Sequence, residues 1–154
     1  MTLGGYMGRW LEVDLSGAIT VHDLDEHDAQ RFVGGSGLAA RLIGREVAAG
    51  PEPLGPENPL VFTTGPLAGT MAPASNRFTA AARSPLTGLW GEGDCGGRWA
   101  SALKGAGFDA VLIRGRAEHP VYLHIEDSRA ELRDARDLWG LDTYELDLGG
   151  PTVC

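Results

Sequence analysis

The sequence has no long hydrophobic run. It contains no stretch of about 18 consecutive apolar residues, so a membrane-spanning helix is excluded. Residues 1–10 have neither the basic start nor the apolar centre of a signal peptide. We therefore expect a cytoplasmic protein without a membrane partner.

Cysteine is also scarce. Cys95 and Cys154 are the two cysteines, and neither belongs to a Cys-x-x-Cys pair. Two cysteines make no disulfide framework, and this spacing does not indicate a zinc or dithiol redox site. The 154 residues are enough for one domain that buries about two thirds of its unfolded surface, so a hydrophobic core can hold the fold without such links.

Positive charge is sparse and scattered. The 13 Lys and Arg residues are outnumbered by 21 Asp and Glu, which gives a net charge of −8. Nucleic acid needs clustered cations, so we exclude it as a partner. No two of the four histidines have metal-ligand spacing, and we assign none of them a metal-binding or catalytic role: His22, His27, His119 and His124.

Glycine, in contrast, is abundant, and it concentrates at residues 65–109. A flexible linker would lack large aromatic residues, but this stretch contains Phe78, Trp90, Trp99 and Phe108. Glycine lets main-chain N–H groups approach a ligand closely. We predict a folded, backbone-rich surface in this stretch.

Strands are predicted where apolar residues alternate or form short buried runs. They are expected at 9–15, 18–22, Leu60–Thr64, Arg77–Arg83, 110–113, 121–125 and 130–132. The first two should form one hairpin, with one buried face on 9–15, and the last two should form another.

Helices are predicted after Asp25, over residues 37–46 and after Gly96-Gly97, with a short helical turn at 134–140. Residues 48–59 hold four prolines and two glycines and should be an ordered loop. The predicted class is α+β, with mostly antiparallel sheets and three or four short helices. Gly34-Gly35 and Gly96-Gly97 each precede a helix, which suggests a duplicated unit.

Several short motifs follow one another as in a known family. They are, in order, Gly8-Arg9, Val13-Asp14-Leu15, the segments 34–39, 52–58, 64–67 and 84–88, Gly96-Gly97, and the segments 103–110, 113–118, 120–122 and 134–140. In content and spacing the chain resembles, over about residues 5–143, the N-terminal domain of the aldehyde ferredoxin oxidoreductase family. The first 143 residues would form a pterin-cradling domain, and residues 144–154 a loosely held tail.

The resemblance implies an oxidoreductase that converts aldehydes to carboxylic acids and passes electrons through an iron-sulfur cluster to ferredoxin. In this family the tungsten (or molybdenum) is held by two pterins, and the N-terminal domain is the base on which the pterins lie. A flat polar heterocycle with a phosphate calls for backbone N–H groups, a few fixed hydrogen bonds and one cation.

Matching the motifs position by position implies a set of cofactor-binding residues: Arg77, Asp94, Cys95, Gly96 and Gly97. Arg77 would contact the pterin or its phosphate, and Gly96 and Gly97 would offer backbone donors. Asp94 departs from the family's asparagine, since a carboxylate only accepts hydrogen bonds. Cys95 stands at a position where the family usually has a small residue, and we expect its role to be structural. Lys104 and Asp109 should pair structurally near the end of a helix. No catalytic residue and no metal ligand is assigned.

The resemblance also implies a much longer enzyme. A four-iron cluster normally needs four thiolates, so the cluster would belong to domains absent from these 154 residues. Three alternatives follow: the chain is a truncated form of the enzyme, it is a separate subunit that pairs with the rest, or it is a relic whose pterin-binding surface serves another purpose. Homo-oligomerisation is left open. Two functions follow: the cofactor-cradling domain of a tungsten-dependent oxidoreductase, inactive alone, or a non-catalytic binding or assembly module that kept the fold without the metal.

Overall fold

The computed structural model describes residues 4–46 and 52–153. The start of the predicted loop at 48–59 and Cys154 lie outside them. In chain order, the elements are β1 (Arg9–Asp14), β2 (Ile19–Asp23), α1 (Glu26–Phe32), α2 (Gly35–Glu46), β3 (Leu60–Thr64), β4 (Arg77–Arg83), β5 (Trp90–Gly96), α3 (Trp99–Gly105), β6 (Ala110–Arg114), β7 (Val121–Glu126) and β8 (Arg129–Asp134).

Six strands form one mixed sheet in the order β2-β1-β6-β3-β4-β5, and β7 and β8 form a separate two-stranded sheet. All pairings are antiparallel except β1 with β6. With three α-helices in the described residues, the predicted α+β class with mostly antiparallel sheets is confirmed.

The first face of the large sheet is covered by α2. Leu38, Ala39 and Leu42 of this helix pack on a cluster that includes Trp10 and Leu112. Asp25 caps α1 by accepting a hydrogen bond from the backbone N–H of Asp28, as the sequence predicted.

The opposite face is covered by α3 and the β7–β8 hairpin. Leu103 and Phe108 pack there with Leu11, Val13 and Val111, and the inward side chains of β7 and β8 close the cluster. The β1 strand is thus buried on both sides, because Trp10 on its other face is only 5% exposed. The prediction of a single buried face on β1 was wrong, since α2 covers the second face.

The β5 strand was not predicted. Three of its seven residues are glycines, and glycine has a low intrinsic preference for strands. Pairing with β4 along its whole length, from Arg77 opposite Gly96 to Arg83 opposite Trp90, holds this segment extended. β5 is also the last strand of the sheet, so one of its edges pairs with no other strand in the residues that the structure describes.

Both Gly-Gly pairs lie just before or at the start of a helix, α2 and α3. The strand order also reads alike from both ends, with the hairpins β1–β2 and β4–β5 outermost. The inner strands differ, however: β6 runs parallel to β1, whereas β3 runs antiparallel to β4. The two halves are therefore not related by a symmetry operation.

Beyond β8 the chain contains turns but no helix or strand as far as residue 153. The predicted helical turn at 134–140 is a hydrogen-bonded turn, in which the N–H of Leu138 donates to the carbonyl of Ala135. Within the described part of the chain, the helices are all too short or too polar to cross a bilayer.

Candidate functional site

Arg77 begins β4 and stands between two clefts, both of which it lines together with Ser75. The residue is exposed, and within residues 4–46 and 52–153 its guanidinium makes no hydrogen bond or ion pair. The cation predicted for cofactor binding is therefore available to a ligand on either side.

The larger cleft has a volume of about 510 Å³ and lies between the loop before β4 and the start of α3. Asn76 joins these two walls, because its side-chain amide donates to the carbonyl of Gly97 and to the hydroxyl of Ser101. Ala74, in the same loop, has a φ of 56°, a strained value for a residue with a Cβ. Asn76, which precedes Arg77 in the sequence, thus ties the loop before β4 to the start of α3.

The smaller cleft has a volume of about 290 Å³ and lies on the other side of Arg77. The start of α2 contributes Gly35 and Ser36, the β3 region contributes Thr63 and Gly65, and Thr79 and Asp94 come from β4 and β5. The Thr63 hydroxyl donates to the carbonyl of Gly35 at 2.9 Å, which fixes the helix start against the sheet.

The backbone of β5 turns alternate N–H groups towards the free edge of the sheet. In an antiparallel pair, hydrogen-bonded and non-hydrogen-bonded residue pairs alternate. The N–H of Ser84 donates to the carbonyl of Leu89 just outside the strands, so these two residues form a hydrogen-bonded pair. Every second pair along the ladder is of the same kind, and Phe78 opposite Cys95 is one of them. The N–H groups of Asp94 and Gly96 consequently point away from β4. In agreement, the N–H of Arg77, opposite Gly96, donates to Ser75 instead.

Asp94 is held by a side chain of the neighbouring strand. The Thr79 hydroxyl donates to Oδ1 of Asp94 at 2.6 Å. Oδ2 of Asp94 has no hydrogen bond to any described residue, and no ion pair joins Asp94 to Arg77, although both line the smaller cleft. The cleft therefore presents one cation and one carboxylate that do not neutralise each other.

Cys95 lines neither cleft. Its side chain alternates with those of its neighbours across the plane of the sheet, and its thiol donates to the carbonyl of Gly96 at 3.3 Å. Of the five predicted cofactor-binding residues, the structure brings Arg77, Asp94, Gly96 and Gly97 together along the two clefts and leaves Cys95 out of their linings.

The other charged residues named in the sequence have structural partners. Lys104 and Asp109 form a buried ion pair at 2.5 Å, as predicted, and Asp109 also accepts from the N–H groups of Met7 and Gly8. Burial raises the pKa of Tyr6, and the nearby Asp109 carboxylate adds to this shift. The Tyr6 hydroxyl donates to the carbonyl of Val33 at 2.6 Å. These bonds fasten the segment before β1 onto the fold.

One histidine does lie beside two carboxylates. Asp25, His27 and Asp28 bring ligand-type atoms within 4.8 Å of one another. Arg41 binds Oδ1 of Asp28 at 2.9 Å, and Arg45 binds Oδ2. Because both carboxylate oxygens of Asp28 are occupied by guanidinium groups, this cluster is an ion-pair network.

The residues around Arg77 fit a phosphorylated heterocycle of the kind that the resemblance implies. A guanidinium that binds no other residue in the described part of the chain suits a phosphate, and outward N–H groups on β5 suit carbonyl or ring-nitrogen acceptors. The free oxygen of Asp94 suits ring N–H donors. The larger cleft is also of the size typical of small-molecule sites.

Sequence reasoning missed Asn76, Thr79 and the start of α2 as parts of this site. Asn76 and Thr79 carried a local signal only through their closeness to Arg77 in the sequence. Gly35 and Ser36 lie some 40 residues away along the chain, and only the packing of α2 on β3 and β4 brings them to Arg77.

Comparisons with known proteins identify the family of the chain. The family model described as "Aldehyde ferredoxin oxidoreductase, N-terminal domain" matches residues 10–148. A "Tungsten-containing aldehyde ferredoxin oxidoreductase" of Pyrococcus furiosus is 42% identical over 93% of this chain and 24% of its own length. An "Aliphatic sulfonate oxidoreductase, WOR-like subunit" of the same organism is 35% identical over 92% of this chain and 23% of its own length.

A solved structure also matches. It is described as "Active site complex BamBC of Benzoyl Coenzyme A reductase in complex with 1,5 Dienoyl-CoA", and the matching chain is 39% identical with a TM-score of 0.85. The match covers 88% of this chain and 21% of that one. The present chain thus spans about a quarter of the length of the relatives it matches. It belongs to the aldehyde ferredoxin oxidoreductase family, in which it corresponds to the N-terminal domain.

Proposed function

We propose that the chain is the cofactor-binding N-terminal domain of a cytoplasmic bis-pterin oxidoreductase that oxidises aldehydes to carboxylic acids with ferredoxin as acceptor. The observation that carries the proposal is Arg77, whose guanidinium has no partner among the described residues and is shared by two clefts that are also lined by Asp94, Gly96 and Gly97. Tungsten is the expected metal, because the aldehyde-oxidising relatives carry it in their names.

Each residue has a separate task in this proposal. Arg77 binds the anionic part of the cofactor through its guanidinium, which can hold a phosphate with two hydrogen bonds. The N–H groups of Asp94 and Gly96 donate to acceptors on the heterocycle, and Oδ2 of Asp94 accepts from its N–H groups. Asn76 keeps the Gly97 wall in place by binding its carbonyl.

The cofactor, when bound, supplies the two-electron redox chemistry. The chain's own residues bind and orient it, and none of them is assigned as acid, base or nucleophile. A four-iron cluster takes four thiolates, and the chain has two cysteines, so the electron-transfer cluster is supplied by other domains or a separate subunit. Those domains, and through them ferredoxin, are the proposed partners.

The range of relatives supports a function in cofactor binding. Their names differ in what is acted on, an aldehyde, an aliphatic sulfonate or benzoyl coenzyme A, yet this stretch is 35–42% identical in all three. Similarity that is kept while the named substrate changes is consistent with a task that these enzymes have in common. Exposed apolar side chains such as Met71 and Leu86 offer contact area for the remaining domains.

The second candidate is a non-catalytic binding or assembly module without the metal. Asp94 favours it, because a negative charge stands where the family usually has an asparagine, next to the place proposed for a phosphate. The bond from Thr79 argues against it, since that bond orients the carboxylate and leaves one oxygen for a ligand.

Metal and pterin analysis distinguishes the two candidates. The chain is produced without oxygen in a host that makes the cofactor, together with the genes that adjoin its own, and the purified complex is assayed for tungsten, molybdenum and pterin. Retention of metal and pterin by the wild type, with loss in Arg77→Ala and partial recovery in Arg77→Lys, supports the first candidate. A stable wild-type complex that contains neither contradicts it.

A further inference from the structure

Thr79 is a buried polar residue in the floor of the smaller cleft. It is 5% exposed, lies in the middle of β4 and stands opposite Asp94 on β5. The two residues form a non-hydrogen-bonded pair of the ladder, the kind in which side chains come closest. Their side chains meet in the 2.6 Å bond between the Thr79 hydroxyl and Oδ1 of Asp94.

The direction of this bond is fixed by the chemistry of position 94. An ionised carboxylate has no hydrogen to donate, so the hydroxyl of Thr79 must be the donor. Oδ1 is thereby occupied and Oδ2 remains free of described partners. With an asparagine at position 94, either atom of the amide could face Thr79, and the arrangement would be ambiguous.

The start of α2 lies directly against the hydroxyl. A Cβ at Gly35 would lie 3.2 Å from Oγ1 of Thr79, closer than most real Cβ contacts, and the carbonyl of Gly35 is held by Thr63. The glycine at position 35 thus leaves Oγ1 of Thr79 its place against the helix start, where Thr79 is buried. Thr79 can hold the carboxylate in one orientation because its own position is set by packing.

We propose that Thr79 is a positioning residue, which fixes the Asp94 carboxylate so that Oδ2 selects the N–H-bearing edge of a heterocycle in the smaller cleft. The inference rests on the proposed cofactor-binding function and deepens it. Arg77 recognises the anionic part of the ligand, and the Thr79–Asp94 pair recognises the donor edge. The two halves of recognition are separate, because no bond joins Arg77 to Asp94 among the described residues.

The separation can be tested with two simple probes. Titration calorimetry or NMR measures the affinity of the 154-residue chain for 2-amino-4-oxopteridine, which has the donor edge but no phosphate, and for inorganic phosphate. Thr79→Val keeps the shape and removes the hydroxyl, and it should weaken pteridine binding by up to about tenfold, because the ligand must then order the Asp94 side chain itself. Phosphate binding should stay unchanged. Thr79→Ser keeps the hydroxyl and should bind both probes as the wild type does.

A second set of variants shows whether Thr79 acts through Asp94. Asp94→Ala should weaken pteridine binding, and adding Thr79→Val to it should cause no further loss. If Thr79→Val does not fold, Asp94→Asn carries the test. An asparagine offers the heterocycle a neutral amide whose orientation Thr79 does not fix, so pteridine binding should fall while phosphate binding does not.

Several outcomes would overturn the inference. Equal losses in Thr79→Val and Thr79→Ser, an equal loss of phosphate binding, or an effect of Thr79→Val that persists in the Asp94→Ala background would each contradict it. So would undiminished pteridine binding by Asp94→Asn. A wild-type chain that binds neither probe contradicts the proposed function itself, and the inference with it, whereas wild-type binding with unaltered variants contradicts the inference alone.

Discussion

Two pairs of opposite charges differ in how they are satisfied: Lys104 of α3 with Asp109 just before β6, and Arg77 of β4 with Asp94 of β5. Lys104 and Asp109 are 4% and 1% exposed and bind each other directly through Oδ1, and the remaining oxygen, Oδ2, accepts from backbone N–H groups. Arg77 and Asp94 are exposed, line one cleft and do not bind each other. The first pair is complete within the protein and the second is not.

The difference separates structural charges from those that can serve a ligand. A buried charge must be paired, because its desolvation costs several kcal/mol. An exposed pair at a cleft is free of that requirement, so its side chains can stay apart and bind something else. We call the Lys104–Asp109 pair closed, because its charges are satisfied within the protein. We call the region along β4 and β5 open, because Arg77 and Asp94 there can bind a ligand.

The largest expected effect is at the closed pair. Asp109→Ala leaves Lys104 buried without its counter-charge and removes the acceptor of two backbone N–H groups. We expect a loss of about 3–5 kcal/mol in the free energy of unfolding, or failure to fold, measured by urea denaturation. Arg77→Ala is the control and should change stability by no more than about 0.5 kcal/mol. Equal losses in the two variants would break the comparison.

Glycine substitutions compare a tightly packed position, Gly34, with an open one on β5, Gly96. A Cβ at Gly34 would lie 2.5 Å from the backbone oxygen of Thr64, whereas a Cβ at Gly96 would meet nothing within 4 Å. We expect Gly34→Ala to reduce the free energy of unfolding by about 1–3 kcal/mol, because backbone must shift to admit the methyl group. Gly96→Ala should leave stability nearly unchanged. A large loss in Gly96→Ala would show that the β5 edge is not open.

Asn76 should have a smaller effect, since it holds the wall of the open region. Asn76→Ala removes two hydrogen bonds and should cost about 1 kcal/mol. Hydrogen exchange should accelerate at residues 97–101, and Ser101→Ala, which keeps the bond to Gly97, should show less acceleration. Unchanged exchange in Asn76→Ala would mean that the wall is held by other contacts.

The smallest expected effect is at an exposed pair, Asp134 and Arg136. The Arg136 side chain, by hydrogen bonding, lowers the pKa of Asp134 from 3.8 to about 2. A lowered pKa stabilises the folded state above the unfolded value, and this contribution is lost as the pH falls through the folded value.

Asp134→Asn should therefore be slightly less stable than the wild type at neutral pH. The difference should shrink between pH of about 4 and about 2. Thermal denaturation of both proteins across this range measures it. A difference that is constant with pH would mean that the ion pair does not contribute, and would confine the structural role of charge to buried pairs.

Much of the fold could be predicted from local patterns. The hairpin β1–β2, the cap at Asp25, the strand β4 and the hairpin β7–β8 all lie where alternation and capping residues placed them. The strand β5 could not be predicted, because glycines carry no side-chain pattern and its conformation comes from pairing with β4. The second buried face of β1 was also missed, because the residues that cover it come from α2, which is distant in the sequence.

The sequence by itself determined the family and the residue types of the candidate site: an arginine at 77, a carboxylate at 94, and glycines at 96 and 97. These are properties of order and spacing, and they need no coordinates. Only the tertiary structure decided that Arg77 stands between two clefts, that Thr79 holds Asp94, and that Cys95 lies outside both linings. Strand register and the packing of α2 bring these atoms together from distant parts of the chain, and no local pattern encodes such distances.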